Sequence, residues 1–245
     1  MKVVLLGATR GMGRALARKL AARGEALFLL GRADEDMKRS ARDLEVRGAR
    51  APVGTAHCDL LAPEGFDAAL AAADLALDGF DTVVVSAGAF ATQEELESDR
   101  ARLAELLAVN FAHTVLFCEA ARTRLLARGG GRLCVFSSVA GERGRKPVVL
   151  YGATKAGLSH YLEGLDHRYR AEGLRTLTVK PGFVRTGMTA GLDPPPFAGE
   201  PEAVAETVLR ALDRDRAVVY APPIWRWIMA VIRLLPRALM RRIGF

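Results

Sequence analysis

The chain starts with a short apolar run, Lys2–Leu6 (KVVLL), which meets the glycine-rich turn GATRGMG and then a helical stretch, RALARKLAARG, ending at Gly24. A second apolar run, ALFLL, leads to Gly31 and Arg32. Strand, helix and strand in this order form a βαβ unit, whose strands must be parallel and joined by a right-handed crossover. Further apolar runs follow at 82–88, 131–138, 175–182 and 216–223, most of them separated by helical stretches. The alternation predicts an α/β fold, a doubly wound parallel sheet of Rossmann-like type, as a single domain over residues 1–221. Gly7, Gly11 and Gly13 fall where the first strand turns into the first helix. Glycine there permits a tight turn and lets a phosphate approach backbone N–H groups at a helix N-terminus. The same glycines could also simply end a strand. Their place between a strand and a helix favours dinucleotide binding.

With 245 residues, half of them hydrophobic, the chain can bury one substantial core. The three cysteines, Cys58, Cys118 and Cys134, have no metal-type spacing, so no metal is expected, and their odd count suits a reducing cytoplasm. The first apolar run is too short for a signal peptide. Net charge is +7, but residues 221–245 carry five arginines and no acidic residue or lysine, so the rest holds only about 7 − 5 = +2. That balance does not suggest a nucleic-acid partner.

In YGATKAGLSHYLEGL (151–165) the spacing of Leu158, Tyr161, Leu162 and Leu165 predicts a helix. Tyr151 and Lys155 then lie one turn apart on the same face. A partly buried tyrosine beside a snorkelling lysine is the bland reading. The alternative is an acid–base pair, since a nearby cation favours the phenolate and lowers the phenol's pKa.

Seven ordered motifs decide between them: GATRGMG at 7–13, HCDL at 57–60, VSAG at 85–88, VNF at 109–111, SSVAG at 137–141, YGATK at 151–155 and KPGFVRT at 180–186. In order and spacing they resemble the short-chain dehydrogenase/reductase family, over nearly the whole chain from Lys2 to about Ala221. The resemblance implies an enzyme that moves a hydride between a nicotinamide cofactor and a ketone or secondary alcohol. It makes Tyr151 the proton donor or acceptor, with Lys155 lowering its pKa and holding the nicotinamide ribose. Ser138 would bond the same substrate oxygen, and Asn110 would bind a water linking Lys155 to solvent. It places the cofactor along Gly7, Thr9, Arg10, Gly11, Met12 and Gly13. Asp59 with Leu60, and Ala87 with Gly88, would lie at the adenosine. Pro181, Gly182, Val184 and Thr186 would meet the nicotinamide side. The chain departs from the family at Leu6, where threonine is frequent, and at Ser86, where asparagine is usual. Both departures concern scaffolding of the turn.

After the second strand an acidic residue would select NAD(H). Here Gly31 and Arg32 stand instead, with Arg10 in the glycine turn. Two guanidiniums suit the 2′-phosphate of NADP(H), which is the expected cofactor, with NAD(H) as the alternative. A non-catalytic dinucleotide sensor, or a membrane-associated scaffold on this fold, would not need Ser138, Tyr151 and Lys155 together.

Residues 187–200 (GMTAGLDPPPFAGE) suit a mobile loop over the substrate. The segment 222–245, with both tryptophans of the chain, predicts a basic amphipathic helix that Pro236 bends or interrupts. Its longest uncharged stretch is too short to span a bilayer. It suits a peripheral place on an anionic membrane surface at 224–245, or docking on a partner subunit or over the active site. The tail, with SSVAGERGR and GFVRTGMTAGL, is similar by region to the family's decaprenylphosphoryl-2-keto-pentose reductase branch, which implies a lipid-linked carbonyl substrate beside small-molecule ones. The family resemblance also implies a homo-oligomer.

Overall fold

In the computed structural model, residues 1–243 are described, and seven strands form one sheet. They are β1 (Lys2–Leu6), β2 (Ala26–Gly31), β3 (Arg50–His57), β4 (Thr82–Val85), β5 (Gly131–Phe136), β6 (Leu174–Pro181) and β7 (Val218–Ala221). Their order is β3-β2-β1-β4-β5-β6-β7, and every pairing is parallel. The helices are α1 (Gly11–Ala22), α2 (Asp34–Val46), α3 (Phe66–Leu77), α4 (Gln93–Ser98), α5 (Arg100–Leu107), α6 (His113–Ala127), α7 (Val149–Tyr169), α8 (Pro201–Asp213), α9 (Trp225–Leu234) and α10 (Arg237–Arg242). The doubly wound parallel sheet expected from the sequence is present.

Side chains alternate across a strand, so each central strand supplies both layers. Val3 and Leu5 of β1 join the core with Leu16 and Leu20 of α1 and Val208 and Leu212 of α8. Val4 and Leu6 join the opposite core with Leu70 of α3, Phe117 of α6 and Leu158 and Leu162 of α7. Phe117 is fully buried, and its ring meets Phe66 edge-on at 5.4 Å.

One strand escapes the apolar-run reading. β3 is the edge strand, has Pro52 and a register shift, and buries only Val53. An edge strand with one solvated side does not need a continuous apolar run. α5 and α6 are joined by a π turn over Ala108–Ala112 that holds Asn110. The run Arg100–Ala127 is long and apolar enough to cross a bilayer by length and composition, yet Phe117, Cys118, Ala121 and Leu125 on it are fully buried in the core.

The tail is two helices broken before Pro236, as the proline requires. α9 packs Trp225, Met229 and Ile232 against Val139, Phe183 and Tyr220. Burying side chains of this size contributes about 1.5–3 kcal/mol each, enough together to seat a short helix in water. Gly244 and Phe245, the end of the expected amphipathic segment, lie outside the described residues.

Candidate active site

The turn after β1 works because atoms crowd it. A side chain on Gly13 would collide with the Ser86 hydroxyl and the Gly7 carbonyl, so only glycine fits. Ser86, the residue that departs from the family's asparagine, donates to the carbonyls of Leu6 and Gly7 at 3.2 and 3.0 Å. It thereby ties the end of β4 to the glycine turn. Beside that turn lies a cavity of about 510 Å³, within the usual range for small-molecule sites. Gly7, Thr9, Arg10, Gly11, Met12 and Gly13 line one side of it, and Arg32, Asp59 and Leu60 another. Ala87, Gly88 and Thr186 complete the predicted set that borders it. The lining fits a dinucleotide: a glycine cradle at a helix N-terminus for the pyrophosphate, with Arg10 in that cradle and Arg32 after β2. Pro181, Gly182 and Val184 are not among its lining residues. Gly182 lies against Trp225, and buried Val184 bridges to Gly199.

Sequence reasoning missed several residues here. Asp36 lines the cavity, binds Arg39, and accepts from Arg10 Nη2 at 3.2 Å. The Arg39 and Arg10 guanidiniums hold its carboxyl below the usual range. Its signal was its position four residues beyond Arg32, in an acidic first turn of α2. Glu105, Val109 and Met188 also line the cavity; Val109 stood in the VNF motif and Met188 in the 187–200 loop, whereas nothing in the local sequence marks Glu105.

Two of the catalytic candidates, Asn110 and Lys155, adjoin Gly88. A Cβ built on Gly88 would lie 3.2 Å from Asn110 Oδ1 and 3.7 Å from Lys155 Nζ. Asn110 uses its side chain twice on one residue: Oδ1 accepts from Ala89 N at 2.8 Å and Nδ2 donates to Ala89 O at 2.8 Å. It braces the turn beside Lys155. Ser138 follows β5, accepts from Ala140 N at 3.1 Å and donates to Pro181 O at 3.4 Å. Tyr151 lies in the first turn of α7, with its ring edge-on to Phe90 at 5.2 Å. Lys155 Nζ donates to Phe136 O at 3.1 Å and stands 5.8 Å from the centre of the Tyr151 ring. Two unpredicted residues hold α7 in place. Ser137 donates to Lys155 O at 2.9 Å and shares a 2.7 Å bond with Ser159, and Gln93 Oε1 accepts from Leu150 N at 3.1 Å at the start of α7. Ser137 stood in the SSVAG motif, beside the serine that drew attention.

Burial dominates the electrostatics of the pair. It pushes the Tyr151 phenol up to about 12, against a smaller downward effect of Ser138. Burial also pushes the Lys155 ammonium down to about 8. The nitrogen faces the ring at 5.8 Å and bonds a carbonyl, and burial is the largest influence on both groups. The consequence for stability has a definite sign. The folded chain releases the Lys155 proton near pH 8, whereas the unfolded chain keeps it up to 10.5. Between these values the unfolded state binds more protons, so stability rises with pH across the window. Lys155→Met should therefore melt higher than wild type at pH 7, with the gap closing by pH 10, in thermal unfolding at both pH values. A gap that does not shrink with pH would show that Lys155 is not a desolvated cation.

Comparison with known proteins agrees with this geometry. The short chain dehydrogenase family model matches residues 1–195. An uncharacterized oxidoreductase of Mycobacterium tuberculosis is 35% identical over 243 residues, covering 98% of this chain and 96% of that one. A 3-oxoacyl-[acyl-carrier-protein] reductase of Aquifex aeolicus is 30% identical over 217 residues, covering 84% of this chain and 87% of that protein. Among solved structures, an actinorhodin polyketide ketoreductase with NADPH superposes with a TM-score of 0.80 at 22% identity, covering 89% of this chain and 94% of the other. Fold, ordered motifs and relatives converge: the chain belongs to the short-chain dehydrogenase/reductase family and is an NAD(P)-dependent oxidoreductase.

Proposed function

We propose that the protein reduces a ketone, or oxidises the matching secondary alcohol, with NADP(H), and that its substrate is lipidic or held at a membrane. The observation that carries the reaction is the grouping of Ser138, Tyr151 and Lys155 next to a dinucleotide-sized cavity. The nicotinamide supplies the hydride when bound. Ser138 and Tyr151 aim hydroxyl donors at the carbonyl oxygen, where negative charge develops, and Tyr151 gives up its proton there. A phenol held near 12 is fully protonated at neutral pH, so the acid is ready for reduction. Lys155 holds the ribose hydroxyls, and its ammonium offsets the phenolate once the proton has left. Asn110 keeps the turn beside Lys155 in place and carries the water of the proton relay.

The preference for NADP(H) rests on Arg32 and Arg10 in the cavity lining, with no acidic residue directly after β2. Asp36 holds Arg10 there until a phosphate competes for it. The lipidic substrate is supported by the relative named as a 3-oxoacyl-[acyl-carrier-protein] reductase and by the tail. On α9, Trp227, Val231 and Leu234 are 67%, 63% and 84% exposed. They repeat at steps of four and three, on the side away from Trp225 and Met229, beside the exposed Arg226, Arg237 and Arg241. A face of this kind suits an anionic bilayer surface from the cytoplasmic side. A homo-oligomer is supported by Leu107, Phe111 and Leu116, which stay exposed on the run that carries Asn110.

Tyr151→Phe should lower turnover of a soluble ketone about 10²–10⁴-fold while leaving NADPH affinity nearly unchanged. Near-normal turnover would refute its role as the acid. Arg32→Asp should weaken NADPH much more than NADH by direct titration, since a like charge would face the phosphate. Equal weakening of both would remove Arg32 from cofactor choice. In co-sedimentation, the full chain should pellet with anionic vesicles at low salt and release at high salt. A chain cut after Pro223 should not pellet, and full-length protein left in the supernatant at low salt would end the membrane reading.

A further inference from the structure

Glu142 lies four residues beyond Ser138, and its side chain is 4% exposed. One carboxylate oxygen binds Lys180 Nζ, and the other faces Arg233 Nη1 at 3.2 Å as a charge contact. Lys180 also stands 5.7 Å from the centre of the Tyr220 ring. Burial and the Glu142 carboxylate push the Tyr220 phenol up to about 12. A carboxylate withdrawn from water in this way depends on its cationic partners. Those partners come from separate elements: Lys180 from β6 and Arg233 from α9.

The two ends of this cluster bracket the catalytic serine. Lys180 immediately precedes Pro181, whose carbonyl accepts the Ser138 hydroxyl. The loop leaving Ser138 is thus fastened twice to the end of β6, at Ser138–Pro181 and at Glu142–Lys180. The next residue, Arg143, donates to Leu235 O at 2.8 Å, just past the end of α9. On the apolar side Val139 packs with Trp225, Met229 and Ile232. The Trp225 indole lies so close to Gly182 that any side chain there would collide with it. Its Nε1 is buried with no hydrogen-bond partner among the described residues, so packing holds the ring. α9 therefore grips the chain just past Ser138 and just past Pro181.

We propose that Glu142 is a positioning residue that clasps Lys180 of β6 to Arg233 of the tail, so that α9 holds the Ser138 loop in its working geometry. The tail then serves catalysis directly, whatever its outer face binds. This rests on the reading of Ser138 as the donor to the substrate oxygen.

Both tryptophans lie in the tail, so indole emission reports on the clasp without any need for turnover. In a Trp227→Phe background Trp225 is the sole indole. There, Arg233→Ala should shift its emission to longer wavelength and raise its quenching by acrylamide, with an unchanged far-ultraviolet spectrum. In the otherwise native chain, Arg233→Ala and Glu142→Gln should each lower kcat on a soluble ketone about tenfold with NADPH Kd nearly unchanged, and the double variant should lose little more than either. Arg233→Lys should restore most of the activity. Arg233→Ala retains an exposed site, so it keeps the test open if Glu142→Gln does not fold. Unchanged Trp225 emission in Arg233→Ala overturns the clasp. Exposed Trp225 with normal kcat overturns the positioning role, as does loss in Glu142→Gln that Arg233→Ala does not share. A wild-type chain that binds NADPH but reduces no ketone would overturn the reading of Ser138 and the positioning role with it, and emission would still decide whether the clasp exists.

Discussion

Parallel pairing is the constraint on which the site depends. Every strand of the sheet runs the same way, so the loops that leave β1, β4, β5 and β6 all open at one edge. The order of the strands reverses between β1 and β4, and a crevice opens where neighbouring connections diverge to opposite faces. The glycine turn after β1, Gly88 after β4, Ser138 after β5 and Pro181 at the end of β6 are brought together by that geometry alone. The sheet needs only apolar central strands and right-handed crossovers to achieve it.

What the sheet does not provide is a site for charge. Lys155 is buried beside a phenol, and the desolvation acts against the fold at neutral pH. Ser137 and Gln93 fix the backbone of α7, and Asn110 braces the neighbouring turn. These hydrogen bonds are spent on position, so the cation and the phenol are held in a fixed arrangement. The result is a destabilised cation beside a phenol, at the point where the proposed proton transfer would occur, which is a common way for a fold to hold function.

The sequence made the sheet legible because its central strands are buried on both faces and therefore read as unbroken apolar runs. It failed at β3, whose outer edge is solvated and where only Val53 is buried. Tyr151, Lys155, Ser138 and the glycines were singled out through ordered motifs, and the structure sets Lys155 against Gly88 at the edge of the cavity that the glycines line. Asp36, Gln93, Ser137 and Glu142 were not, because each acts through a partner distant in sequence: Arg10, Leu150, Lys155 and Lys180. Local pattern carries no trace of such pairings. The upward push on the Tyr151 phenol was not legible for a similar reason, since burial is a property of the whole fold. In the tail, Pro236 gave the break, but the choice of which face docks was set by Val139, Phe183 and Gly182, far earlier in the chain.

The account stands on hydride transfer from a nicotinamide to a carbonyl carbon while Tyr151 supplies the proton. The most direct measurement uses NADPH deuterated at one C4 position, a soluble prochiral ketone and mass analysis of the alcohol formed. The account predicts one deuterium on the carbinol carbon from one of the two labelled cofactors, one hand of alcohol, and the oxygen-bound proton drawn from solvent. No alcohol, or an alcohol whose carbinol hydrogen comes from solvent, would contradict it.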